Sequence, residues 1–475
     1  FVATIFWSPS SLVFSGCIRV AFFISCQSLD YEVEKPNVIL IMADDIGYEA
    51  LNINGSTSYK TPFLDSLALN GINFTNTISQ PLCTPSRVKI MTGKYNFRNY
   101  DHFTYLNSNQ KTFGNLFKEN GYKTAIVGKW QLNGLRIGDV DREIANDNTR
   151  PYGFGFDEYS LWQLTKLKQN GERFANPLIE ENGNFLPRDE NSYGPDIVSD
   201  YAVEFIKRNK DNPFFIYYPM LLVHDPFVPT PDSPEWKSLE TRSEKDNKYF
   251  VDMVAYMDKI IGKIVDELEA QGIAENTLLL FVGDNGTHPR IISQTENGSI
   301  RGGKGNTISH GVHVPMVASW PSIIKKSKSY SGLVNFNDFY ATFSDILNVE
   351  NSGDGESLMQ ILKNKETSKR ETVSIYYDPM WGNISRYRNV FSQTKRYKLY
   401  QNGEFFDMEK DILETNQVSY EELFLRDGKI VIKFSTLDQQ LESKTILQNK
   451  LLDKVIIALN LEPTTPDWLK NLGGK

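Results

Sequence analysis

Short apolar runs recur along the first two thirds of the chain. Asn37–Met42 (NVILIM) is apolar without interruption, as expected of a strand buried on both faces. Thr124–Val127, Phe214–Tyr218, Leu278–Val282 and Val314–Ser319 read as further strands. Helical patterns lie between them. Thr61-Pro62 opens one, with an N-cap residue followed by proline, and Gly71 closes it. Residues 247–271 give the clearest helix: Phe250, Met253, Val254, Met257, Ile261, Ile264 and Leu268 share one face at a 3.6-residue period, with Gly272 beyond the end. Strands alternating with helices predict a large, mostly parallel α/β sheet flanked by helices, over residues 36–350. From about residue 370 the texture changes. Runs at 373–377, 388–400 and 430–434 predict an antiparallel sheet, followed by a helix near 439–459, so 355–475 is expected to form a smaller α+β subdomain. The stretch 288–310, rich in Gly, Ser, Asn and Thr, is expected to be a loop over the site.

Composition narrows this picture. With 475 residues, 40% of them hydrophobic, the chain can bury one large core and a smaller one. The net charge of -8 argues against general nucleic-acid binding, which relies on a basic surface. It leaves an anionic substrate open, because a few buried cations can dominate a cleft. Three cysteines, Cys17, Cys26 and Cys83, imply no disulfide framework. Residues 1–30 stand apart: 11–25 are mostly apolar or small, and acidic residues begin at Asp30. The run is too short and interrupted for a membrane span and reads as the remains of an export signal. Phe14–Cys17 and Phe23–Cys26 both resemble a bacterial lipobox, so lipid attachment at either cysteine and an unlipidated signal are both open. The expected location is periplasmic or outer-membrane-associated in a bacterium.

The chemistry clusters at strand ends, where open α/β sheets bind ligands. Asp44-Asp45 follows the run 37–42, Gly128-Lys129 follows 124–127, and Asp284-Asn285-Gly286 follows 278–282. Adjacent carboxylates at a strand end repel each other. Three carboxylates and an amide oxygen suit a hard cation, Ca²⁺ or alternatively Mg²⁺. Taken singly, Asp284-Asn285-Gly286 is also an ordinary turn and Asp44-Asp45 an ordinary helix cap.

The segment Cys83-Thr84-Pro85-Ser86-Arg87 changes the balance. Alone it fits a buried free cysteine ahead of a proline-started helix at 85–92. With Asn37-Val38 through Asp44-Asp45-Ile46-Gly47, Gly121–Thr124, Gly128-Lys129-Trp130, His224-Asp225-Pro226-Phe227, Asp284-Asn285-Gly286, Arg301–Lys304 and Val314-Pro315, all in order, the chain resembles the formylglycine-dependent sulfatases of the alkaline phosphatase superfamily, in particular bacterial arylsulfatase-like and polysaccharide sulfatases. The likeness runs from about residue 36 to 345 and continues weakly through Asp354–Leu358 and Gly403–Asp407. The resemblance implies that a maturation enzyme oxidises Cys83 to formylglycine. Its gem-diol attacks sulfur, giving a covalent sulfo-enzyme intermediate. Asp44, Asp45, Asp284, Asn285 and an oxygen of residue 83 are the implied metal ligands. Arg87, Lys129 and Lys304 are the implied cations around the sulfate. His224 is the implied general acid, with Lys304 as second donor.

One position departs from the family. Sulfatases usually carry His two residues after the Lys of the Gly-Lys segment, and this chain has Gln131. Glutamine can exchange hydrogen bonds but cannot act as a base near neutral pH. Either another group or water assists sulfate release, or the chain is a slow or inactive relative. Arg98, His102 and His288 are further candidates for substrate contact, Arg98 because a guanidinium can hold a sulfate or uronate bidentately. His310 and His313 bracket Gly311 ahead of a strand. Sulfated polysaccharide fragments are the expected substrate, and small aryl or alkyl sulfates the rival. A phosphodiester or phosphonate monoester hydrolase and an inactive glycan-binding relative remain as alternatives.

Overall fold

A computed structural model describes residues 35–135, 141–167, 173–365, 370–378, 390–409, Asp411, Glu414 and the strands Glu422–Arg426 and Lys429–Lys433. The strands up to residue 335 are β1 Asn37–Ala43, β2 Ile72–Ile78, β3 Lys123–Lys129, β4 Glu158–Trp162, β5 Ile179–Glu181, β6 Asn184–Phe185, β7 Phe214–Pro219, β8 Thr277–Gly283, β9 Ile292–Thr295, β10 Gly298–Arg301, β11 His313–Ser319, β12 Lys328–Tyr330 and β13 Val334–Asn335. Eleven of them form one sheet in the order β12-β2-β11-β8-β1-β7-β3-β4-β5-β6, with β13 also on β2. The central run β8-β1-β7-β3-β4 is parallel. β11 lies antiparallel between β8 and β2, so the sheet is mixed on that side.

Alternation along β1 explains its unbroken apolar sequence. Ile39, Ile41 and Ala43 face a core shared with the helices Pro62–Asn70, Gly194–Asn209 and Phe250–Ala270. Val38, Leu40 and Met42 face a second core with Cys83–Thr92, Phe113–Glu119 and Asn337–Leu347. Both faces of the central strands are therefore dry, as parallel sheets require. All seven apolar positions expected on the helix within 247–271 are buried in the first core. A 3₁₀ turn, Asn247–Tyr249, precedes that helix, and Gly272 follows it at φ 71°. Pro62 starts its helix as expected, but the Thr61 side chain does not cap it. The Asp258 carboxylate of Phe250–Ala270 accepts from Phe63 N at 3.0 Å and Leu64 N at 2.9 Å in its place.

The smaller sheet is antiparallel: β14 Val373–Tyr376, β15 Val390–Gln393, β16 Tyr397–Tyr400 and β17 Phe405–Asp407 in that order, with a separate hairpin of β18 Glu422–Arg426 and β19 Lys429–Lys433. Two expectations are corrected. Residues 388–400 do not form one strand: a turn closed by Thr394 N donating to Tyr397 O at 2.8 Å makes β15 and β16 a hairpin. Both arms keep a similar pattern, so the turn left no mark in the periodicity. The stretch 288–310 is not all loop, because β9 and β10 form a hairpin turning at Glu296-Asn297. The helix expected near 439–459 and the Cys17 and Cys26 region lie outside the described residues. Among the described residues, no helix is long and apolar enough to cross a membrane.

Candidate active site

Three parallel strands deliver the polar residues to one edge of the sheet. Asp44 and Asp45 leave the end of β1, Asp284 and Asn285 the end of β8, and Lys129 is the last residue of β3. Gly128 makes the last placement possible: it sits at φ 112°, and a Cβ there would lie 2.1 Å from Pro219 O of the neighbouring strand.

The carboxylates are stitched together. Asp45 N donates to Asp284 Oδ1 at 2.9 Å, and Asn285 Nδ2 donates to Asp45 Oδ1 at 3.0 Å. Lys129 Nζ lies 2.9 and 2.8 Å from the two Asp44 oxygens, and Lys304 Nζ donates to Asp45 Oδ2. All of these groups except Lys304, which is mostly covered, are buried. Burial works to raise every one of these acids. Lys129, Arg173 and Lys304 outweigh it at Asp44, which ends below its usual range. Asp45 stays raised by burial, and Asp284 is pushed well above by burial with Asp44 and Asp45 beside it. Asn285 Oδ1 is buried without a hydrogen-bond partner. Three crowded carboxylates, two of them held above their range, and an orphaned amide oxygen fit a hard divalent cation.

Cys83 faces this cluster from the first turn of the helix Cys83–Thr92. Its Sγ and one oxygen each of Asp44 and Asp284 lie within 4.8 Å of one another. Ser86 Oγ, 2.5 Å from Asp284 O, fastens the turn to the end of β8. The helix begins at Cys83 rather than at residue 85, with Leu82 as its cap residue. Arg87, one turn on, is buried and donates through Nη2 to Lys129 O. Its Nε and Nη1 have no partner. His224 Nδ1 lies 2.6 Å from Asp225 O, which holds the proton on that nitrogen, and Nε2 lies 3.1 Å from Lys304 Nζ. Burial, reinforced by Arg173 and Lys304, pulls His224 well below its usual range. At Lys304, burial is outweighed by Asp45, Cys83 and Asp44, so the ammonium is held above its range. Of this pair, Lys304 carries the proton.

A family model described as sulfatase matches residues 36–349. The chain belongs to the sulfatase family. A second model, N-sulphoglucosamine sulphohydrolase, C-terminal, matches residues 306–441 of this sulfatase. It is 26% identical to an ulvan-active sulfatase of Formosa agariphila over 93% of this chain and 89% of the relative. It is 27% identical to an N-acetylgalactosamine-6-O-sulfatase of Bacteroides thetaiotaomicron over 72% and 79%. Among solved structures, Ps i-CgsB matches with a TM-score of 0.67 and 26% identity, covering 81% of this chain and 89% of that one. The fold of this sulfatase is alkaline-phosphatase-like and its reaction class is sulfuric ester hydrolysis.

The other residues singled out in the sequence fall in different places. Gln131 is buried at φ 49° and donates through Nε2 to Gln163 Oε1 at 2.9 Å; Gln163 itself sits at φ 55°. Arg98, expected to hold a sulfate or uronate, is half-exposed and ion-paired with Asp354. His102 lines a cavity beside the helix of Cys83. His288 packs edge-on against Phe227, with Nδ1 accepting from Arg290 N at 3.1 Å. His313 is a packing residue, stacked on Tyr48 and bonded to Thr75 O, and His310 lies beside it in sequence with its Nδ1 buried. Sequence reasoning missed Arg173. It is buried 3.4 Å from Asp44 Oδ2, with its guanidinium 4.1 Å from the Trp162 ring centroid. It comes from an irregular polar stretch with no motif, so only its three-dimensional position reveals it.

Proposed function

We propose that this sulfatase removes sulfate ester groups from sulfated glycans, using formylglycine made from Cys83. The observation that carries the reading is the position of Cys83, at a helix start between the carboxylate cluster and the cations Arg87, Lys129 and Lys304. Formylglycine, formed at residue 83 by a maturation enzyme, would supply as its hydrate the nucleophile toward sulfur and the hydroxyl that lets sulfate leave. Ca²⁺, or alternatively Mg²⁺, would be held by Asp44, Asp45, Asp284 and Asn285 with residue 83, and when bound it supplies positive charge beside the nucleophile.

The protein's own side chains have distinct tasks in this scheme. Arg87 keeps two nitrogens, Nε and Nη1, without a hydrogen-bond partner, and its buried charge is offered to the sulfate oxygens. Lys129 neutralises Asp44 and keeps the nucleophile's surroundings from repelling the anion. His224 and Lys304, 3.1 Å apart at Nε2 and Nζ, form the acid pair for the leaving alcohol: the charged ammonium donates the proton, the imidazole accepts from it and orients it, and a proton from solvent restores the ammonium. Gln131, tied to Gln163, orients and does not accept the proton released with sulfate. The ulvan-active sulfatase and the N-acetylgalactosamine-6-O-sulfatase among its relatives support the glycan assignment. Export across the bacterial inner membrane, with the enzyme working in the periplasm or at the outer membrane, is part of the same proposal.

The test is a screen for sulfate released from a panel of sulfated oligosaccharides by fully modified protein, run beside an aryl sulfate, a phosphate diester and a phosphonate monoester. Sulfate from oligosaccharides with the highest kcat/KM supports the reading. A higher kcat/KM on the phosphorus esters would replace it with a phosphodiester or phosphonate hydrolase. Binding without turnover would leave a glycan-binding relative.

A further inference from the structure

In the proposed reaction only His224 of the run His224-Asp225-Pro226-Phe227 acts, and loop 287–291 has no task. These two segments meet on the leaving-group side of the reaction centre. Loop 287–291 runs alongside segment 301–304: Lys304 N donates to Thr287 O at 3.0 Å, Gly302 N to Ile291 O at 3.1 Å, and Arg301 Nη1 to Pro289 O at 3.0 Å. Inside the loop, Ile291 N donates to His288 O at 2.9 Å and Arg290 N to His288 Nδ1 at 3.1 Å. The backbone of Arg290 is therefore held in place relative to Lys304, the proton donor.

The buried Phe227 ring is the floor on which this loop rests. His288 meets it edge-on with centroids 5.8 Å apart, and the Arg290 guanidinium lies 5.5 Å from its centroid. Arg290 Nη2 lies 3.5 Å from Asp225 Oδ2, and Asp225 Oδ1 lies 3.1 Å from His224 Nδ1. Lys304, His224, Asp225 and Arg290 thus form a chain, with side-chain exposures of 13, 20, 33 and 55%. The rise marks a path from the proton donor to the surface.

Both outer members of the chain have hydrogen-bonding capacity to spare. The proton on His224 Nδ1 is already given to Asp225 O at 2.6 Å, so the carboxylate's contact with that nitrogen is secondary. The pair with Arg290 is long, and a surface ion pair of that kind holds little energy. An ionised carboxylate accepts several hydrogen bonds, and a guanidinium donates several.

We propose that Asp225 and Arg290 hold the sugar that carries the scissile sulfate, Asp225 accepting from one of its free hydroxyls and Arg290 donating to another. The inference rests on the glycan reading above. The alcohol that takes the proton from Lys304 is one hydroxyl of its ring, so the neighbouring hydroxyls fall to the next groups outward along the chain. A hydroxyl both donates and accepts, and a fixed acceptor beside a fixed donor matches two hydroxyls of one ring. Both bonds are charge-assisted, which makes them worth more than bonds between neutral groups. An aryl leaving group offers neither hydroxyl.

The experiment starts from a set of singly sulfated mono- and disaccharides, with 4-nitrophenyl sulfate beside them. The fastest sugar sulfate is then compared with its deoxy analogues, each lacking one hydroxyl of the sulfated ring. The formylglycine-bearing enzyme should lose about tenfold or more in kcat/KM on at least one analogue. In Asp225→Asn or in Arg290→Met that same penalty should shrink to about threefold or less, and Arg290→Lys should keep part of it. Each penalty is a ratio within one protein, so a general loss of catalysis or folding, expected in Asp225→Asn through His224, cancels. Deoxy analogues all turned over within about threefold of the parent, or a penalty unchanged in both variants, would overturn the subsite and leave the glycan reading standing. If only 4-nitrophenyl sulfate were cleaved, the glycan reading would fall and the subsite with it.

Discussion

Two of the buried charge clusters among the described residues are finished to different degrees. In the smaller sheet, Lys398 Nζ meets Glu414 Oε1 at 2.9 Å and also Thr307 O, while Glu414 accepts from Tyr400 Oη and from Ser309 N at 3.1 Å. Each charge there has its partners inside the protein, and the cluster ties the stretch carrying Thr307 and Ser309 to the sheet. At the ends of β1 and β8 the charges are just as buried, yet Asn285 Oδ1 and two Arg87 nitrogens are left over, and Asp284 is pushed well above its range by burial and its neighbours. Buried polar groups in a native protein are normally satisfied. The closed cluster is structural. The open one is shaped for something bound, a cation on one side and an oxyanion on the other.

The largest effect should come from the residue facing the open cluster. Cys83→Ala is expected to lower turnover by about 10⁴-fold or more while circular dichroism stays unchanged. Next come the acids. Asp284→Asn should remove the bound metal, read by elemental analysis, and reduce kcat by about 100-fold or more. Retention of a stoichiometric ion in that variant would contradict the open-cluster reading.

In the closed cluster, Glu414→Gln strands the buried Lys398 ammonium and should destabilise the fold by about 3–5 kcal/mol in denaturant titrations. Lys398→Met with Glu414→Leu should recover most of that loss. If the single change were harmless, the cluster would not be structural.

Lys89 offers an intermediate case, because its amine is buried without a partner and burial pulls it down to about 7. A lysine lowered on folding binds fewer protons in the folded state between about pH 7 and 10.5, so its penalty is full below that window and fades as pH rises through it. Lys89→Met should therefore stabilise the protein by about 4 kcal/mol at pH 7 and about 2 kcal/mol at pH 9. A gain that does not shrink with pH would show that the amine is charged in the fold.

The smallest effect is expected at Gln131→His, which should add an ionisation near pH ~6.5 to the kcat profile without creating activity from nothing. Steady turnover without a burst in the unaltered protein would show that release is already served by another group or water. A stable adduct on residue 83 with no turnover would make this an inactive relative.

The sheet core and the chemistry at its strand ends were legible because both follow simple local rules. β1 is apolar from Val38 to Ala43, and the acids fall just after the runs that predict β1 and β8. β2 was not legible: Asn73, Thr75 and Asn76 interrupt its pattern, and its pairing with β11, β12 and β13 makes it a strand. The β9–β10 hairpin hid in a composition typical of loops. Arg173 and Gln163 reach the site region from irregular stretches, so no spacing rule could pair them with Asp44 or Gln131. Arg98 lies near the nucleophile in sequence, and its ion-pair partner Asp354, more than two hundred residues away, follows no spacing rule.

The most direct test of the central claim is kcat on one sulfate ester, measured across preparations whose formylglycine content at residue 83 has been graded and quantified by peptide mass spectrometry. Turnover should rise in proportion to formylglycine content and extrapolate to zero for protein carrying only cysteine. Undiminished turnover by the unmodified protein would contradict the assignment of residue 83 as the nucleophile.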